Sequence, residues 1–300
     1  MQKIGIVGVG LLGSAVAARL LQHGFAVTGY DTRPAQLLAL RSQGLRAATS
    51  ILETATGADA VFTILPSLES LDLAVRGPAG LLETAPREAT LIQMSTISPD
   101  LTRRLGEAAN SKGLGFLDAP MSGTSAMVAR GDCTIFVGGD PTRLDACRPF
   151  FDAIARKTFH VGAVGMASLA KLATNLLVGL NTAALAEALV LGAKGGLPPA
   201  RLLEILRESA ATSKMLEIRG PLMVSHRFEP QMKVELFQKD FKLMLEEGER
   251  LGAPLPLTSL AYQLATATAA AGRAGEDLAA IITTLERLAG MDPTSHGQIP

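Results

Sequence analysis

A lysine and an asparagine stand four residues apart in the apolar stretch GAVGMASLAKLATN, residues 162–175. The stretch continues with few charges to about Gly195 and predicts a long helix, so Lys171 and Asn175 project from one face, one turn apart. Loss of water favours the neutral form of an amine, and a neutral lysine accepts protons near neutral pH. Lys171 is therefore our first catalytic residue. The alternative is a lysine whose stem lies on apolar surface with its ammonium in water.

The N-terminal residues carry a glycine motif in the order strand, turn, helix, strand. The run from Lys3 ends in GVGLLG at 8–13, and a helical pattern to Gln22 and a strand at Ala26–Tyr30 follow. In this context the motif is typical of dinucleotide binding, with phosphates over the helix N-terminus. A glycine-rich structural turn is the alternative. The predicted cofactor contacts here are Gly8, Gly10, Leu11, Leu12 and Gly13.

Asp31 closes the second strand, 18 residues after Gly13. A carboxylate there accepts hydrogen bonds from the adenosine ribose and repels a 2′-phosphate, so the sequence favours NAD over NADP. Arg33 could restore NADP binding in part, although a solvated residue at the start of the next helix is the interpretation we prefer.

Three further strands end in polar, proline-marked segments: ILPS at 64–67, MSTISP at 94–99 and DAPMSGT at 118–124. Each alone is an ordinary cap or turn. Together they indicate a site, because ligands of doubly wound sheets bind at the carboxyl ends of the strands.

Alternation of strands and helices up to Phe159 predicts an α/β Rossmann domain with a mostly parallel, doubly wound sheet. Within this domain we predict helices near 68–76, 99–111 and 141–154. Strands then disappear and an all-α domain follows, joined by the long helix, with further helices predicted at about 199–208, 214–224, 234–251, 257–271 and 278–289. We predict a NAD(P)-binding domain at 1–162, an all-α substrate and oligomerisation domain at 163–290, and a flexible tail at 291–300.

Composition excludes several classes of function. Lys plus Arg and Asp plus Glu both total 28 and Trp is absent, which argues against nucleic acid and anionic membranes as partners. Charges and prolines break every apolar window, so no membrane span is expected. Scattered His and Cys give no support for a metal, and Cys133 and Cys147 are expected to be reduced thiols. With no export signal visible, we expect a cytoplasmic protein.

The ordered set of motifs resembles the β-hydroxyacid dehydrogenase family, which includes 3-hydroxyisobutyrate dehydrogenases and tartronate semialdehyde reductases. The motifs are GVGLLG, ILPS, STISP, DAPMSGT, the lysine–asparagine stretch and Lys239-Asp240-Phe241. The resemblance covers nearly the whole chain. It implies a substrate cleft between a Rossmann domain and a helical domain that makes subunit contacts.

The resemblance also implies roles for individual residues. Lys171 would be the catalytic acid–base, with Asn175 orienting it and the substrate. The implied substrate contacts are Ser122, Gly123, Thr124 and Thr96, and the implied cofactor contacts include Leu65, Pro66, Thr96 and Lys239. The chain departs from the pattern at Thr124, at Met166-Ala167 and at Phe241, and the first two leave the substrate open.

Three alternative functions remain open: a non-catalytic dinucleotide-binding module, an imine reductase, and a decarboxylating 6-phosphogluconate-type enzyme. Imine reductases typically have another residue at the lysine position. A 6-phosphogluconate-type enzyme should be longer and should have extra basic residues to bind the phosphate, and residues 210–215 offer only Lys214. The hydroxy acid, the physiological direction and the choice between homodimer and homotetramer stay open. Apolar helices at 176–191 and 281–288 favour an oligomer.

Overall fold

The computed structural model of the protein describes residues 2–292. The chain divides into two units, with the boundary between Lys171 and Leu172. The predicted domain ranges stay a prediction. The predicted tail at 291–300 lies outside the described residues, apart from Met291 and Asp292.

In the first unit, nine strands of the described chain form one sheet. They are β1 (Lys3–Val7), β2 (Ala26–Tyr30), β3 (Arg46–Ala47), β4 (Ala60–Thr63), β5 (Thr90–Gln93), β6 (Gly115–Asp118), β7 (Met121–Ser122), β8 (Thr134–Gly139) and β9 (Lys157–Gly162). The order is β3-β2-β1-β4-β5-β6-β8-β7, and β9 also pairs with β8. Pairing from β3 to β6 is parallel, whereas β8 runs antiparallel to β6 and β7. The predicted mostly parallel sheet is confirmed.

Helices cover both faces of this sheet. They are α1 (Leu11–Gln22), α2 (Ala35–Arg41), α3 (Ile51–Ala55), α4 (Leu68–Arg76), α5 (Leu81–Thr84), α6 (Pro99–Ser111), α7 (Ser125–Ala129) and α8 (Pro141–Ile154). Strands β4, β5 and β6 are buried along their whole length, as strands covered on both faces must be. Within β4, Val61 joins one apolar cluster and its neighbour Phe62 joins the other, because successive side chains point to opposite faces.

A long helix, α9 (Met166–Lys194), begins in the first unit and continues into the second. The second unit adds α10 (Pro199–Glu208), α11 (Lys214–Ser225), α12 (Val234–Leu251), α13 (Pro256–Thr268) and α14 (Ile281–Leu288). No strand forms between residues 172 and 292. The predicted helical region is confirmed.

Some predicted bounds differ from the structure. Strand β9 continues to Gly162, past the predicted end of the strands, because its residues are mostly exposed and give no apolar run. The predicted helix at 257–271 ends at Thr268, and a π-helical turn follows in which Gly272 has a φ of +85°. The predicted helix at 278–289 begins as a 3₁₀ turn, Leu278–Ala280.

The expectation that charges interrupt every apolar window is wrong for α9. By length and composition this helix could cross a membrane, with a mean hydropathy of 1.8 in its most apolar window. The reason is that Lys171 and Glu187 bracket an uncharged stretch. An apolar helix within a folded protein meets the same criterion, so length and composition do not decide between the two.

Candidate active site

The turn between β1 and α1 requires glycine at its first and third positions. Gly8 has a φ of +95°, and a Cβ there would lie 2.2 Å from the carbonyl oxygen of Ile64. A Cβ on Gly13 would lie 2.0 Å from the carbonyl oxygen of Gly8. No side chain fits at either distance, so these two glycines close the turn and seat α1 against the strand.

Gly10 has a different environment. The atom nearest to a Cβ built there is a guanidinium nitrogen of Arg33, 3.7 Å away. Within residues 2–292 no side chain caps the start of α1 and no acidic residue lies in its first turn. The N-terminus of a helix with its amides unclaimed by a carboxylate attracts phosphate. This turn therefore fits the pyrophosphate of a dinucleotide.

Asp31 lies at the end of β2 and is held by the glycine turn. One carboxylate oxygen accepts a hydrogen bond from the backbone nitrogen of Val9 at 3.0 Å, and the other accepts one from the backbone nitrogen of Arg33 at 2.9 Å. The Arg33 Nε lies 3.5 Å from Asp31, whose side chain is only 8% exposed. Besides its predicted contact with the ribose, Asp31 thus fixes the turn that would hold the phosphates.

The loops after β4 and β5 are tied together at the same edge. Ser95 accepts a hydrogen bond from the backbone nitrogen of Leu65 at 2.9 Å, and the side chain of Gln93 bonds to both backbone groups of Ser95. A Cβ on Gly8 would touch the side chain of Leu65. The structure therefore brings Leu65, and the loop that carries Thr96, to the glycine turn. Sequence reasoning gave Gln93 and Ser95 no role; the available signal was Gln93, a polar residue at the end of a buried strand.

The third strand end forms a short hairpin. Ser122 ends β7 and pairs with Thr134 of β8. Gly123 follows with a φ of +154°, and a Cβ there would lie 2.8 Å from the Cβ of Cys133. Thr124 caps α7, accepting a hydrogen bond from the backbone nitrogen of Met127 at 3.3 Å. Its hydroxyl therefore has a structural partner, and its predicted substrate contact stays a prediction.

Lys171 lies in the second turn of α9 and is 9% exposed. Burial of this kind is what the predicted neutral amine requires. The helix start is held by Asp118, at the end of β6, which accepts hydrogen bonds from Gly165 and Ser168. Burial raises the pKa of Asp118 to about 6, although those hydrogen bonds oppose the rise.

Asn175 is also buried, and its partner lies in α12. Its side-chain nitrogen donates to a carboxylate oxygen of Asp240 at 2.7 Å, and the Nζ of Lys239 lies 3.1 Å from the other oxygen. A carboxylate accepts and does not donate, so the amide nitrogen must face Asp240. The carbonyl oxygen of Asn175 is then the atom oriented for other partners.

Sequence reasoning gave Asp240 no role of its own. The available signal was its place on the apolar face of α12, where Phe237 stands three residues before it and Met244 four residues after it. A carboxylate on such a face requires a buried partner.

Two family models match successive parts of the chain. Residues 3–162 match a family model described as the NAD-binding domain of 6-phosphogluconate dehydrogenase. Residues 165–285 match one described as the NAD-binding region of NADP-dependent 3-hydroxyisobutyrate dehydrogenase.

Relatives that match over most of their length are named as dehydrogenases of hydroxy acids. The chain is 34% identical to 2-(hydroxymethyl)glutarate dehydrogenase of Eubacterium barkeri, covering 99% of this chain and 98% of the relative. It is 35% identical to 3-hydroxyisobutyrate dehydrogenase of Pseudomonas aeruginosa, covering 88% and 91%. A crystal structure of 3-hydroxyisobutyrate dehydrogenase from Salmonella typhimurium superposes with a TM-score of 0.87 at 29% identity, covering 94% and 99%.

Imine reductases are more distant. One from Myxococcus stipitatus has a TM-score of 0.65 at 19% identity over 95% of this chain and 99% of the other. That likeness shows a shared fold and nothing about chemistry.

Proposed function

Because this chain belongs to the β-hydroxyacid dehydrogenase family, we propose that it interconverts a small β-hydroxy acid and its carbonyl form using NAD(P). The observation that carries the proposal is the burial of Lys171 on the same face of α9 as Asn175. An amine has little reason to be buried in an apolar helix unless the site uses it.

The proposed chemistry assigns one task to each group. Lys171 accepts the proton of the substrate hydroxyl during oxidation and returns it during reduction. Asn175, with its amide nitrogen on Asp240, presents its carbonyl oxygen to the lysine and the substrate. Proton transfer by a positioned side chain is worth about 10²–10⁴-fold in rate. The nicotinamide, when bound, supplies the hydride acceptor or donor.

The remaining site residues bind and orient. Ser122 and Gly123 are proposed to bind the substrate carboxylate, with Thr124 as a further substrate contact and Thr96 beside the nicotinamide and the substrate. The glycine turn at 8–13 and Asp31 are proposed to hold the dinucleotide, together with Leu65, Pro66 and Lys239. NAD is the favoured cofactor, because Asp31, held at the end of β2 by the backbone nitrogens of Val9 and Arg33, would repel a 2′-phosphate.

The proposed substrates are small acids that carry a hydroxyl close to an anionic group. The names of the two relatives, 2-(hydroxymethyl)glutarate and 3-hydroxyisobutyrate dehydrogenase, both describe a hydroxymethyl group on the carbon next to a carboxylate. We propose the same arrangement for the substrate of this chain.

A panel of hydroxy acids, assayed with NAD and with NADP, tests the proposal. We expect turnover of at least one acid with a primary alcohol β to its carboxylate, and faster turnover with NAD. Binding of NAD without turnover of any acid would indicate a non-catalytic module, and turnover of cyclic imines alone would indicate an imine reductase.

Assembly and location complete the proposal. α9 exposes Leu177 and Leu191, which are 57% and 76% accessible, and such residues favour burial between copies of the chain. We propose a cytoplasmic homodimer or homotetramer, in keeping with the two buried, unbridged cysteines. Light scattering coupled to gel filtration tests the assembly, and a monomer would contradict it.

A further inference from the structure

Asp118 caps helix α9, which begins at Met166, far along the chain. One of its carboxylate oxygens accepts hydrogen bonds from the backbone nitrogens of Gly165 and Ser168, at 3.1 and 2.8 Å. The other accepts one from the hydroxyl of Ser168 at 2.8 Å. These residues form the entry and first turn of α9, so a negative charge lies at the positive end of the helix.

A second helix holds the same serine. The Ser168 hydroxyl lies 2.8 Å from the hydroxyl of Thr102 in α6, and both side chains are buried. Thr102 also donates to the carbonyl oxygen of Ser98, the residue that caps α6. The start of α9 is thereby connected to a strand end and to a neighbouring helix through one buried network.

The backbone around this network is closely packed, with no space for a side chain at two glycines. A Cβ on Gly138 of β8 would lie 2.6 Å from the carbonyl oxygen of Ala163, and one on Gly165 would lie 3.0 Å from that of Pro99. Gly165 has a φ of +94°, a conformation that glycine adopts readily. The segment entering α9 is therefore seated directly on β8 and α6.

This anchor lies next to the proposed catalytic group. Ser168 precedes Lys171 by three residues, which places the two side chains on the same helical face, about 4.5 Å apart along the axis. Asp118 precedes Ser122 by four residues, and only Ala119-Pro120 and Met121 separate them.

We propose that Asp118 is a positioning residue, which holds the amine of Lys171 in register with the loop that binds the substrate carboxylate. This inference rests on the proposed function. The competing explanation is a buried cap that contributes only to the free energy of unfolding. The two differ in whether a folded variant carries out proton transfer normally.

The test uses the full chain with Asp118→Asn, which keeps the shape of the side chain and removes its charge. We expect kcat to fall by about tenfold to a hundredfold, because small misplacements of a catalytic group have effects of that size. The solvent deuterium isotope effect on kcat should rise, since proton transfer becomes slower. The Kd for NAD should stay within about threefold, because the glycine turn is not altered.

Phe150→Leu is the matched control, because Phe150 is a core residue of α8 in the same unit and has no proposed catalytic role. It should lower Tm while leaving both kcat and the isotope effect at the wild-type values. If Asp118→Asn behaves in the same way, or loses kcat only in proportion to its unfolded fraction, the inference is overturned. Should Asp118→Asn not fold, Ser168→Ala removes one bond of the network and must raise the isotope effect.

Hydrogen exchange separates this inference from the proposed function. In Asp118→Asn the amides of Gly165 and Ser168 should exchange about tenfold faster, with no comparable change in Phe150→Leu. Unchanged protection of these amides would overturn the inference about Asp118, whether or not the wild-type protein turns over any of the tested acids. A wild-type protein that turns over none of the acids would instead reject the proposed function.

Discussion

The side-chain nitrogen of Asn175 lies 2.7 Å from a carboxylate oxygen of Asp240, and both residues are buried. This contact decides which end of the Asn175 amide faces the carboxylate. It therefore also sets the direction of the Asn175 carbonyl oxygen, which we propose faces Lys171 and the substrate.

Asp240→Ala should lower kcat by about tenfold or more, because the amide of Asn175 loses its orienting partner. A buried donor left without an acceptor also costs about 1–3 kcal/mol of unfolding free energy. Steady-state kinetics and urea unfolding measure the two effects. Asp240→Asn retains a carbonyl acceptor and should recover most of kcat, and equal losses in both variants would contradict the assigned role.

Gly10→Ala should weaken NAD binding, whereas Gly13→Ala should lower the stability of the fold. Alanine at 10 meets no protein atom closer than 3.7 Å, so the variant should fold normally, yet its methyl group occupies the approach of the pyrophosphate. We expect its Kd for NAD to rise about tenfold or more. Alanine at 13 would lie 2.0 Å from a backbone oxygen and should lower Tm strongly.

Calorimetric titration and thermal unfolding distinguish these outcomes. Gly275→Ala is the control, since no non-neighbouring atom of residues 2–292 lies within 4 Å of the added carbon. Unchanged NAD affinity in Gly10→Ala would mean that the dinucleotide does not lie over this turn.

Asp31→Asn should shift cofactor preference towards NADP. The amide keeps an acceptor for the backbone nitrogen of Val9 but no longer repels a 2′-phosphate, and Arg33 loses its carboxylate partner. We expect kcat/KM for NADP relative to NAD to rise about tenfold or more, which is about 1.4 kcal/mol. The double variant Asp31→Asn with Arg33→Ala should lose part of this gain, and an unchanged ratio in both would show that Asp31 does not select the cofactor.

The sequence predicted those helices whose ends are marked by residues close to the ends themselves. The bounds of α4, α6, α8, α10 and α12 agree with the prediction. Capping side chains mark the starts of α4, α6 and α8, a proline in the first turn marks the start of α10, and Gly252 marks the end of α12. At Ser98, the side chain caps α6 and Pro99 occupies the first turn, as the sequence indicates. The glycine turn was predictable because Gly8 and Gly13 have a steric cause within the protein, while Gly10 leaves the space that the motif reserves for a pyrophosphate.

Contacts between distant residues were not predictable in this way. Asp118 reads as an ordinary turn residue in DAP, yet its partners are 47 and 50 residues away. Asn175 and Asp240 are 65 residues apart. Because strand order and helix packing bring such groups together, one sequence read locally cannot pair them.

Burial of Asp118 predicts a specific dependence of stability on pH. Its pKa rises from 3.8 to about 6 in the folded protein, so between these values the folded state binds more protons than the unfolded state. The free energy of unfolding contributed by this group therefore falls as pH rises from about 4 to 6, by about 3 kcal/mol.

Asp118→Asn does not titrate and lacks this component. Urea unfolding at pH 4, 5, 6 and 7, values chosen to span the window, should show the stability of the wild type falling relative to the variant up to about pH 6 and then levelling. A difference that stays constant over this range would show that the buried carboxyl titrates normally.

Substitution of Lys171 tests the central assignment most directly. Lys171→Ala should lower kcat by about 10²–10⁴-fold, the value of a positioned proton acceptor, while the Kd for NAD changes by less than about threefold. Lys112→Ala, which removes a largely exposed lysine, serves as the control and should keep wild-type kcat. We expect loss of turnover with cofactor binding intact, and a Lys171→Ala variant that retains most of its activity would show that Lys171 is not the proton acceptor.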